Sequence, residues 1–213
     1  MTAGGGIFPP SERERLLRAF AELLAERGYE ATTVEEICGR AMVAPEAFQR
    51  IFGGSRERCA AAAEDAILSE VLAKVGRSYS ADRSEWDNVI HGVKAILELM
   101  AANPSFAHLG YIGARQMGPP AAREAYETGH QMLEAMLERG QAYSQGATGP
   151  PKTALAALGG AEAICRREVA AGRAAELPRL LPDFVYAATV PFLGQEEALR
   201  LVRRAREVLG EAA

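Results

Sequence analysis

Cysteine is scarce in this sequence of 213 residues, which has three: Cys38, Cys59 and Cys165. Their number is odd, no pair has the CxxC spacing, and each lies in an apolar helical pattern. This predicts small buried thiols in a reducing compartment, not disulfides or a catalytic thiol. The three histidines also lack the HxxxH and HxxE spacings of a metal site. Because nucleophile and base pairs, carboxylate pairs and phosphate loops are missing too, we predict no enzyme, no metal site and no cofactor.

Long apolar runs are missing as well. No run approaches the ~18 residues that a membrane span needs. The N-terminal stretch MTAGGGIFPP has no basic start followed by an apolar core, so it does not look like a secretory leader. These absences predict a cytoplasmic protein with a floppy tail at residues 1–10.

Strand signals are nearly absent, whereas apolar residues recur at helical spacing throughout the chain. We therefore predict an all-α fold of about nine to ten helices, and the chain is long enough to bury its own core. The expected division is the tail at 1–10, a head at 11–58 that contains a helix-turn-helix at 34–52, and a helical body at 59–213.

Helix starts in the head are predicted by side-chain caps and by a proline: the capping boxes Ser11/Glu14 and Thr33/Glu36, Pro45 in a first turn, and Ser55. Gly28 is expected to end the first helix in a left-handed conformation, and the fourth helix is expected to run to about Val75. In the body, breaks at NPS, GPP, QGATGPP, AGR and FLG predict helices at 84–102, 104–117, 119–144, 152–172, 176–193 and 195–210.

The stretch VEEICGRAMVAPEAFQRIF, residues 34–52, has the spacing of a helix-turn-helix. Its apolar positions would fill the wedge between two steeply crossing helices: Ile37, Ala41, Val43, Phe48 and Ile51. The formal net charge of the chain is −4, which argues against non-specific coating of nucleic acid, but Arg40 to Arg58 holds four arginines and two glutamates. An ordinary helical hairpin that does not bind DNA would explain the apolar spacing almost as well.

The turn of this motif has Met42 where a glycine is expected. If Met42 adopts the left-handed conformation, the strain is roughly 1 to 2 kcal/mol, which a body of this size can tolerate. The missing glycine therefore does not argue against a helix-turn-helix.

Residues 11 to 71 resemble the DNA-binding head of the TetR family of transcriptional regulators. The stretch LLRAFAELLAERGYEATTVEEICGRAMVAPEAFQRIFGGSRE follows the order of that family's helix, its G(Y/F)xxTTVxxIxxxA segment, its turn and its F(Y)xxF segment without a gap. The stretch ALGGAEAICRREVAAGRAAELPRLLPDFVYAATVPFLGQEEA is similar to the last helices of many members. The resemblance implies a body that encloses a ligand pocket and dimerises through its last long helices.

The resemblance also implies the DNA-contacting residues. Thr33 would face a phosphate, Ala44, Pro45, Glu46, Gln49 and Arg50 would face bases and backbone, and Ser55 and Arg56 would face the flanking phosphate. The sequence departs from the family pattern, which has glycine, serine and a basic or polar residue at positions 42, 44 and 45, and a phosphate-binding tyrosine at position 49. Glutamine can still bind a phosphate or an adenine edge, and Arg50 a phosphate or a guanine. For both arginines, the alternative is a solvated salt-bridging surface.

Candidate ligand-binding residues gather between positions 86 and 136, where aromatic, methionine and polar side chains interrupt apolar helices. The candidates are Trp86, His91, Met100, His108, Tyr111, Arg115, Tyr126 and His130. Tyr111 and Arg115 are four residues apart and share a helix face with His108, which would suit an anionic or hydrogen-bonding ligand. Ordinary core packing and a salt bridge of Arg115 are the alternatives.

For the dimer, the helices at 152–172 and 176–193 carry small or apolar faces: Ala157, Gly160, Ala161 and Ile164 on the first, and Leu177, Leu181, Phe184, Val185 and Ala188 on the second. Two copies would pack these helices as a four-helix interface around a two-fold axis. The leading hypothesis is a homodimeric repressor that leaves a palindromic double-stranded DNA operator when it binds a small molecule. A ligand-binding or scaffolding helical protein without tight DNA binding is the alternative, and an all-helical enzyme is the third.

Overall fold

The computed structural model describes residues 10–113 and 152–210, with residues 124, 127, 128, 131, 134 and 135 between them. In the ranges 10–113 and 152–210 the chain forms eight α-helices and no strand: α1 Glu12–Arg27, α2 Val34–Ala41, α3 Pro45–Phe52, α4 Arg56–Ser78, α5 Glu85–Ala102, α6 Pro104–His108, α7 Thr153–Ala170 and α8 Leu181–Leu209. A π-helical turn over Leu109–Gly113 follows α6, and a 3-10 helix over Ala174–Leu180 precedes α8. The all-helical prediction is confirmed, although eight helices in the described residues is slightly below the predicted number.

Reciprocal side-chain caps start the first two helices of the head. The hydroxyl of Ser11 accepts from the backbone N–H of Glu14, and the carboxylate of Glu14 accepts from the backbone N–H of Ser11. Thr33 and Glu36 form the same pair at the start of α2. Each pair satisfies backbone donors that a helix N-terminus otherwise leaves open, so both predicted capping boxes are confirmed.

The head is held together by apolar side chains from its three short helices. Phe20 of α1, Ile37 of α2 and Phe48 of α3 are fully buried, and the rings of Phe48 and Phe52 lie 5.1 Å apart between centroids. α1 packs against α2, α3 and α4. Burying a side chain of this size contributes about 1.5 to 3 kcal/mol, so this cluster fixes the angle at which α3 crosses α2.

The turn between α2 and α3 is built on a left-handed residue. Met42 has φ 53° and ψ 49°, and its side chain is 82% exposed. The backbone N–H of Met42 donates to the carbonyl of Gly39, and that of Val43 donates to the carbonyl of Cys38. The turn thus ends α2 with a left-handed residue. Glycine adopts this conformation without strain, whereas Met42 adopts it with a side chain.

We expect Met42→Gly to stabilise the protein by a few tenths to about 1 kcal/mol. The substitution relieves the left-handed strain, and the greater freedom of glycine in the unfolded chain offsets part of that gain. Denaturant unfolding of Met42→Gly and Met42→Ala measures the effect, because alanine also removes the side chain but keeps the strain. A glycine variant less stable than the alanine variant would contradict this account of the turn.

The body differs from the predicted helix boundaries at two places and agrees with them at a third. The helix expected at 104–117 is α-helical from Pro104 to His108 and π-helical to Gly113. The helix expected at 176 begins at Leu181, because Pro178 lies in the preceding 3-10 helix and supplies no backbone N–H to an α-helical ladder. The predicted break at FLG is present as a kink in α8, where Gly194 has the non-helical φ 76° and ψ 171° and separates the two predicted helices 176–193 and 195–210.

α4 connects the head to the body. It ends at Ser78, three residues beyond the predicted end, and packs against α1 on one side and α5 on the other. α5 also packs against α8 and the 3-10 helix, and α7 packs against α8. The predicted helix at 119–144 falls mostly outside the described residues, and the six positions described there are helical at 124, 127, 128, 131, 134 and 135. None of the described helices is both long and apolar enough to cross a membrane.

Candidate functional site

α3 has one buried face and one exposed face. Ala47, Phe48 and Phe52 are buried against the head, whereas the five candidate base-contacting and backbone-contacting residues are all exposed: Ala44, Pro45, Glu46, Gln49 and Arg50. We call these five residues the reading face. A helix with an apolar inner face and a free outer face is the element that a helix-turn-helix presents to a major groove.

The reading face begins without a side-chain cap. Ala44 is the N-cap of α3 and offers no hydroxyl or carboxylate to the helix N-terminus, while Pro45 occupies the first turn, as predicted. The missing N–H of proline is not needed at that position. The first turn is therefore set by backbone shape, and the polar groups of the reading face come from Glu46, Gln49 and Arg50.

Two contacts define how Gln49 and Arg50 lie on this surface. The side chain of Gln49 lies against the backbone of Gly54, which has φ +71°. The approach is so close that a Cβ atom added at Gly54 would be 2.3 Å from Oε1 of Gln49. Nη2 of Arg50 donates to Oε2 of Glu12 at 2.7 Å, which joins the reading face to the start of α1. Glu12 was not predictable from the sequence, because a contact between residues 38 positions apart leaves no mark in local spacing.

The two candidate hydroxyl residues are helix N-caps. Oγ1 of Thr33 accepts from the backbone N–H of Glu36 at 3.3 Å, and Oγ of Ser55 accepts from the backbone N–H of Arg58 at 3.1 Å. Thr33 is exposed and Ser55 is half-buried, so both lie at helix starts, where oriented N–H groups favour an anion. This geometry is compatible with phosphate contacts at both ends of the motif.

Arg56 is directed into the head. Its Nη1 donates to the carbonyls of Tyr29 and Thr32 at 3.0 and 2.9 Å, and its guanidinium lies 4.1 Å from the centroid of the Tyr29 ring. Arg40 is similarly committed, with two 2.8 Å hydrogen bonds to the carboxylate of Glu26. Arg40 and Arg56 are therefore largely engaged within the head and contribute little positive charge to a DNA-binding surface. Arg50 is more accessible than either of them, with 66% of its side chain exposed.

The body contains an apolar cavity of about 140 Å³ between α5, α7, α8 and the π-helical turn. Most of its lining is aliphatic or aromatic: Val89, Gly92, Val93, Ile96, Leu97, Ala157, Leu158, Ala161, Phe184 and Ala188. Tyr111, Glu162 and Cys165 supply the polar groups. An engineered apolar cavity of roughly 150 Å³ holds benzene, which sets the scale of ligand moiety that this space accepts.

One of the eight candidate ligand residues lines this cavity. Tyr111 does so, whereas Trp86, His91, Met100 and His108 lie in the described body outside its lining, and Arg115, Tyr126 and His130 lie outside the described residues. The aromatic and polar side chains between positions 86 and 136 gave no sign of the contribution of α7. The small residues of that helix were read as a dimer face, and nothing in their spacing showed that a second face lines a cavity.

Burial governs the titration of the polar groups in and near the cavity. It raises the pKa of the Cys165 thiol to about 11, although a hydrogen bond from the side chain of Tyr111 acts in the opposite direction. A thiol with such a pKa is protonated at neutral pH and a poor nucleophile, so Cys165 is a packing residue. Burial also lowers the pKa of His108, whose Nδ1 has no hydrogen-bond partner among the described residues.

The described part of the chain contains no group of three or more His, Cys, Asp and Glu side chains placed to hold a metal ion. His91 is surrounded by a mixed set of charges instead. Burial is the largest cause that lowers its pKa, followed by the nearby Arg83 and Arg204. Arg204 itself donates to the carboxylate of Asp87 at 3.0 Å, which ties the end of α8 to the start of α5.

An exposed reading face on a helix-turn-helix, carried on an all-helical body with an apolar cavity, is the architecture of a DNA-binding regulator. Residues 16–63 match the family described as bacterial regulatory proteins, tetR family. This match lies in the head and confirms its resemblance to TetR-family regulators, which favours a DNA-binding transcriptional regulator over the scaffold and enzyme alternatives. No curated protein sequence matches the chain.

Solved structures share the fold over most of the chain. The fatty acid degradation regulator FadR from Bacillus halodurans is 15% identical, with a TM-score of 0.71 over 86% of this chain and 99% of that one. FadR from Bacillus subtilis, solved in complex with stearoyl-CoA, is 14% identical, with a TM-score of 0.69 over 86% and 99%. PfmR from Thermus thermophilus is 18% identical, with a TM-score of 0.64 over 88% and 99%. At these identities the likeness shows the fold alone.

Proposed function

We propose that this regulator is a homodimeric, cytoplasmic repressor that binds a pseudo-palindromic operator and is released from it by a small molecule with an apolar moiety. The proposed division is a DNA-binding head at 11–58 and a ligand-binding and dimerising body at 59–213. The observation that carries the proposal is the exposed reading face on a helix whose other face is buried. The protein acts by binding and not by catalysis.

In this proposal the reading face enters the major groove, and the N-caps Thr33 and Ser55 lie against flanking phosphates. Arg50 supplies a guanidinium for a guanine or a phosphate, and Gln49 a carboxamide for an adenine edge or a phosphate. Arg56 acts mainly inside the head, where it holds the chain between α1 and α2 through the carbonyls of Tyr29 and Thr32.

Dimerisation is proposed through α7 and α8, within the predicted ranges 152–172 and 176–193. A groove between these two helices is lined by small and apolar residues: Thr153, Ala156, Ala157, Gly160, Ala161, Ile164, Phe184, Ala187 and Pro191. Small side chains let helices of two copies approach closely around a two-fold axis. Leu177, Leu181 and Val185 are buried inside the protomer, so the contribution of α8 comes from exposed positions such as Ala187 and Pro191.

The proposed ligand carries an apolar group because the described cavity wall is mainly aliphatic and aromatic. A short acyl chain, or the end of a longer one, meets this requirement in a cavity of about 140 Å³. FadR from Bacillus subtilis, which has the same fold, was solved with stearoyl-CoA. Release follows if the ligand binds better to a body arrangement in which the two heads no longer fit adjacent half-sites.

Selection of bound duplexes from random DNA by the full-length protein tests the DNA-binding part of the proposal. We expect an enriched inverted repeat whose half-sites are centred about 10 base pairs or more apart, since a two-fold dimer presents two equivalent reading faces. Enrichment of a single unrepeated half-site would argue against the dimer. Recovery of no motif would overturn the proposed function. A reporter activated, and not repressed, by the intact protein would overturn the sign of regulation.

A thermal-shift screen tests the ligand class, because selective binding to the folded state raises the unfolding midpoint. We expect acyl-CoA esters or free fatty acids to raise the midpoint and polar metabolites of similar charge to leave it unchanged. Ala188→Leu narrows the cavity from α8 and should reduce the ligand-induced shift, whereas Ala170→Leu, an exposed alanine on α7, should keep it. Equal shifts in both variants would place the ligand elsewhere.

A further inference from the structure

The ion pair between Arg50 and Glu12 connects the reading face to the first residue of α1. Nη2 of Arg50 donates to Oε2 of Glu12 at 2.7 Å, with side chains 66% and 44% exposed. Exposed pairs of this kind add little to folding stability, typically less than about 1 kcal/mol. The main effect of this ion pair is therefore to restrain the orientation of the Arg50 side chain, and its contribution to folding stability is small.

The contact uses a small part of the hydrogen-bonding capacity of Arg50. A guanidinium has five N–H donors, and the recorded bond among the described residues engages Nη2 with one carboxylate oxygen. Arg40 has both Nη groups on the two oxygens of Glu26, and Arg56 has Nη1 on two backbone carbonyls. Glu12 takes one N–H of Nη2, so Nε, Nη1 and the second N–H of Nη2 remain, and one two-donor edge of the guanidinium can still meet a guanine edge or a phosphate.

Holding an arginine before it binds has a direct consequence for recognition. A long free side chain loses rotamer freedom on contact, which costs about 0.5 to 1.5 kcal/mol for each immobilised side chain. A guanidinium already restrained by a carboxylate loses less, and its planar fork points in fewer directions, so it discriminates better between correct and incorrect base edges. The same carboxylate repels phosphates, which weakens binding to DNA of unrelated sequence.

We propose that Glu12 is a positioning residue for Arg50: it orients the guanidinium toward the operator and lowers affinity for non-operator DNA. This proposal rests on the proposed function, in which the reading face contacts the operator. Glu12 itself need not touch a base. It lies at the start of α1, directly after the capping residue Ser11, so the fold fixes its backbone relative to α3.

Equilibrium binding of full-length Glu12→Gln to two duplexes tests the proposal. One duplex is the site selected by the intact protein, and the other is a scrambled duplex of the same length and composition. We expect affinity for the selected site to fall by about three- to tenfold, the size of a lost side-chain restraint. Affinity for the scrambled duplex should stay the same or rise, because a negative charge near the phosphates is gone. A general folding defect would instead lower the affinities for both duplexes.

Matched variants separate positioning from other effects. Glu22→Gln removes the same charge from α1 at a carboxylate that pairs with Arg40, and it should preserve the ratio of the two affinities. In the Arg50→Ala background, Glu12→Gln should cause no further loss on the selected site. Glu12→Asp should recover part of the loss, because it restores a carboxylate.

Two results would overturn the proposal. If Glu12→Gln raises affinity for both duplexes equally, the carboxylate only repels DNA or sequesters Arg50. If Arg50→Ala leaves the selected-site affinity unchanged, Arg50 has no contact for Glu12 to position. Either result would leave the proposed function of the protein intact. Failure of the intact protein to select any sequence would overturn that function.

Discussion

We expect Arg50→Ala to weaken binding of the dimer to the selected duplex by about thirtyfold or more, because the loss over two half-sites amounts to about 2 to 6 kcal/mol. A bidentate contact from arginine to guanine is worth about 1 to 3 kcal/mol, and each half-site of a palindrome would lose one. The preference at the contacted base pair should relax at the same time. If Arg50 binds a phosphate instead, affinity should fall evenly across sequences and the salt dependence should become shallower.

Arg77→Ala is the matched control for this substitution. Arg77 lies in the last turn of α4, its side chain is 61% exposed, and it pairs with Glu70, so it resembles Arg50 in exposure and pairing but lies outside the helix-turn-helix. We expect its affinity for DNA to match that of the intact protein. Equal losses in the two variants would mean that bulk charge, and not the reading face, determines binding.

We expect Glu64→Gln to stabilise the protein at pH 8 by roughly 3 kcal/mol and to have little effect at pH 5. Glu64 lies in α4, is 4% exposed, and its Oε1 has no hydrogen-bond partner among the described residues. Burial raises the pKa of its carboxyl to about 8, with a smaller contribution from the negative charge of Asp65. A carboxyl whose pKa is higher in the folded state than in the unfolded state lowers the free energy of unfolding at high pH. The folded state must then bury a negative charge that the unfolded state exposes to water.

The pH window follows from the two pKa values of Glu64. Between its ordinary value of 4.5 and about 8 the folded state holds a proton that the unfolded state has released, so stability falls as pH rises through this range. Denaturant unfolding of the intact protein and of Glu64→Gln at pH 5 and pH 8 measures the difference. Glu70→Gln, at an exposed carboxylate of α4 that pairs with Arg77, controls for loss of one charge in α4. A gain of the same size at both pH values would show that Glu64 is ionised or paired in the fold.

Local signals predicted the parts of the fold that local chemistry determines. The capping boxes of Ser11 and Thr33 join residues three apart, and Pro45 and Gly194 act on the backbone at their own positions, so each could be read directly from the sequence. The helix-turn-helix was predictable for the same reason, because its apolar spacing and its turn fit within nineteen residues.

The chemistry of the site was less predictable because it depends on distant pairs. Glu12 meets Arg50 across 38 positions, and Arg56 binds carbonyls 24 and 27 positions away. The cavity joins α5 to α7 and α8, whose small residues resemble a dimer face when read alone. Arg56 was interpreted as a phosphate contact from its position after Ser55, and only the folded head shows that its guanidinium stacks on Tyr29.

The ratio of affinities for the selected and scrambled duplexes, measured over a range of salt concentrations, tests most directly whether α3 reads DNA. We predict that the intact protein prefers the selected duplex by at least about a thousandfold at physiological salt, and that both affinities fall steeply as salt rises. The preference should shrink in Arg50→Ala. Equal affinity of the intact protein for the two duplexes at every salt concentration would contradict the account.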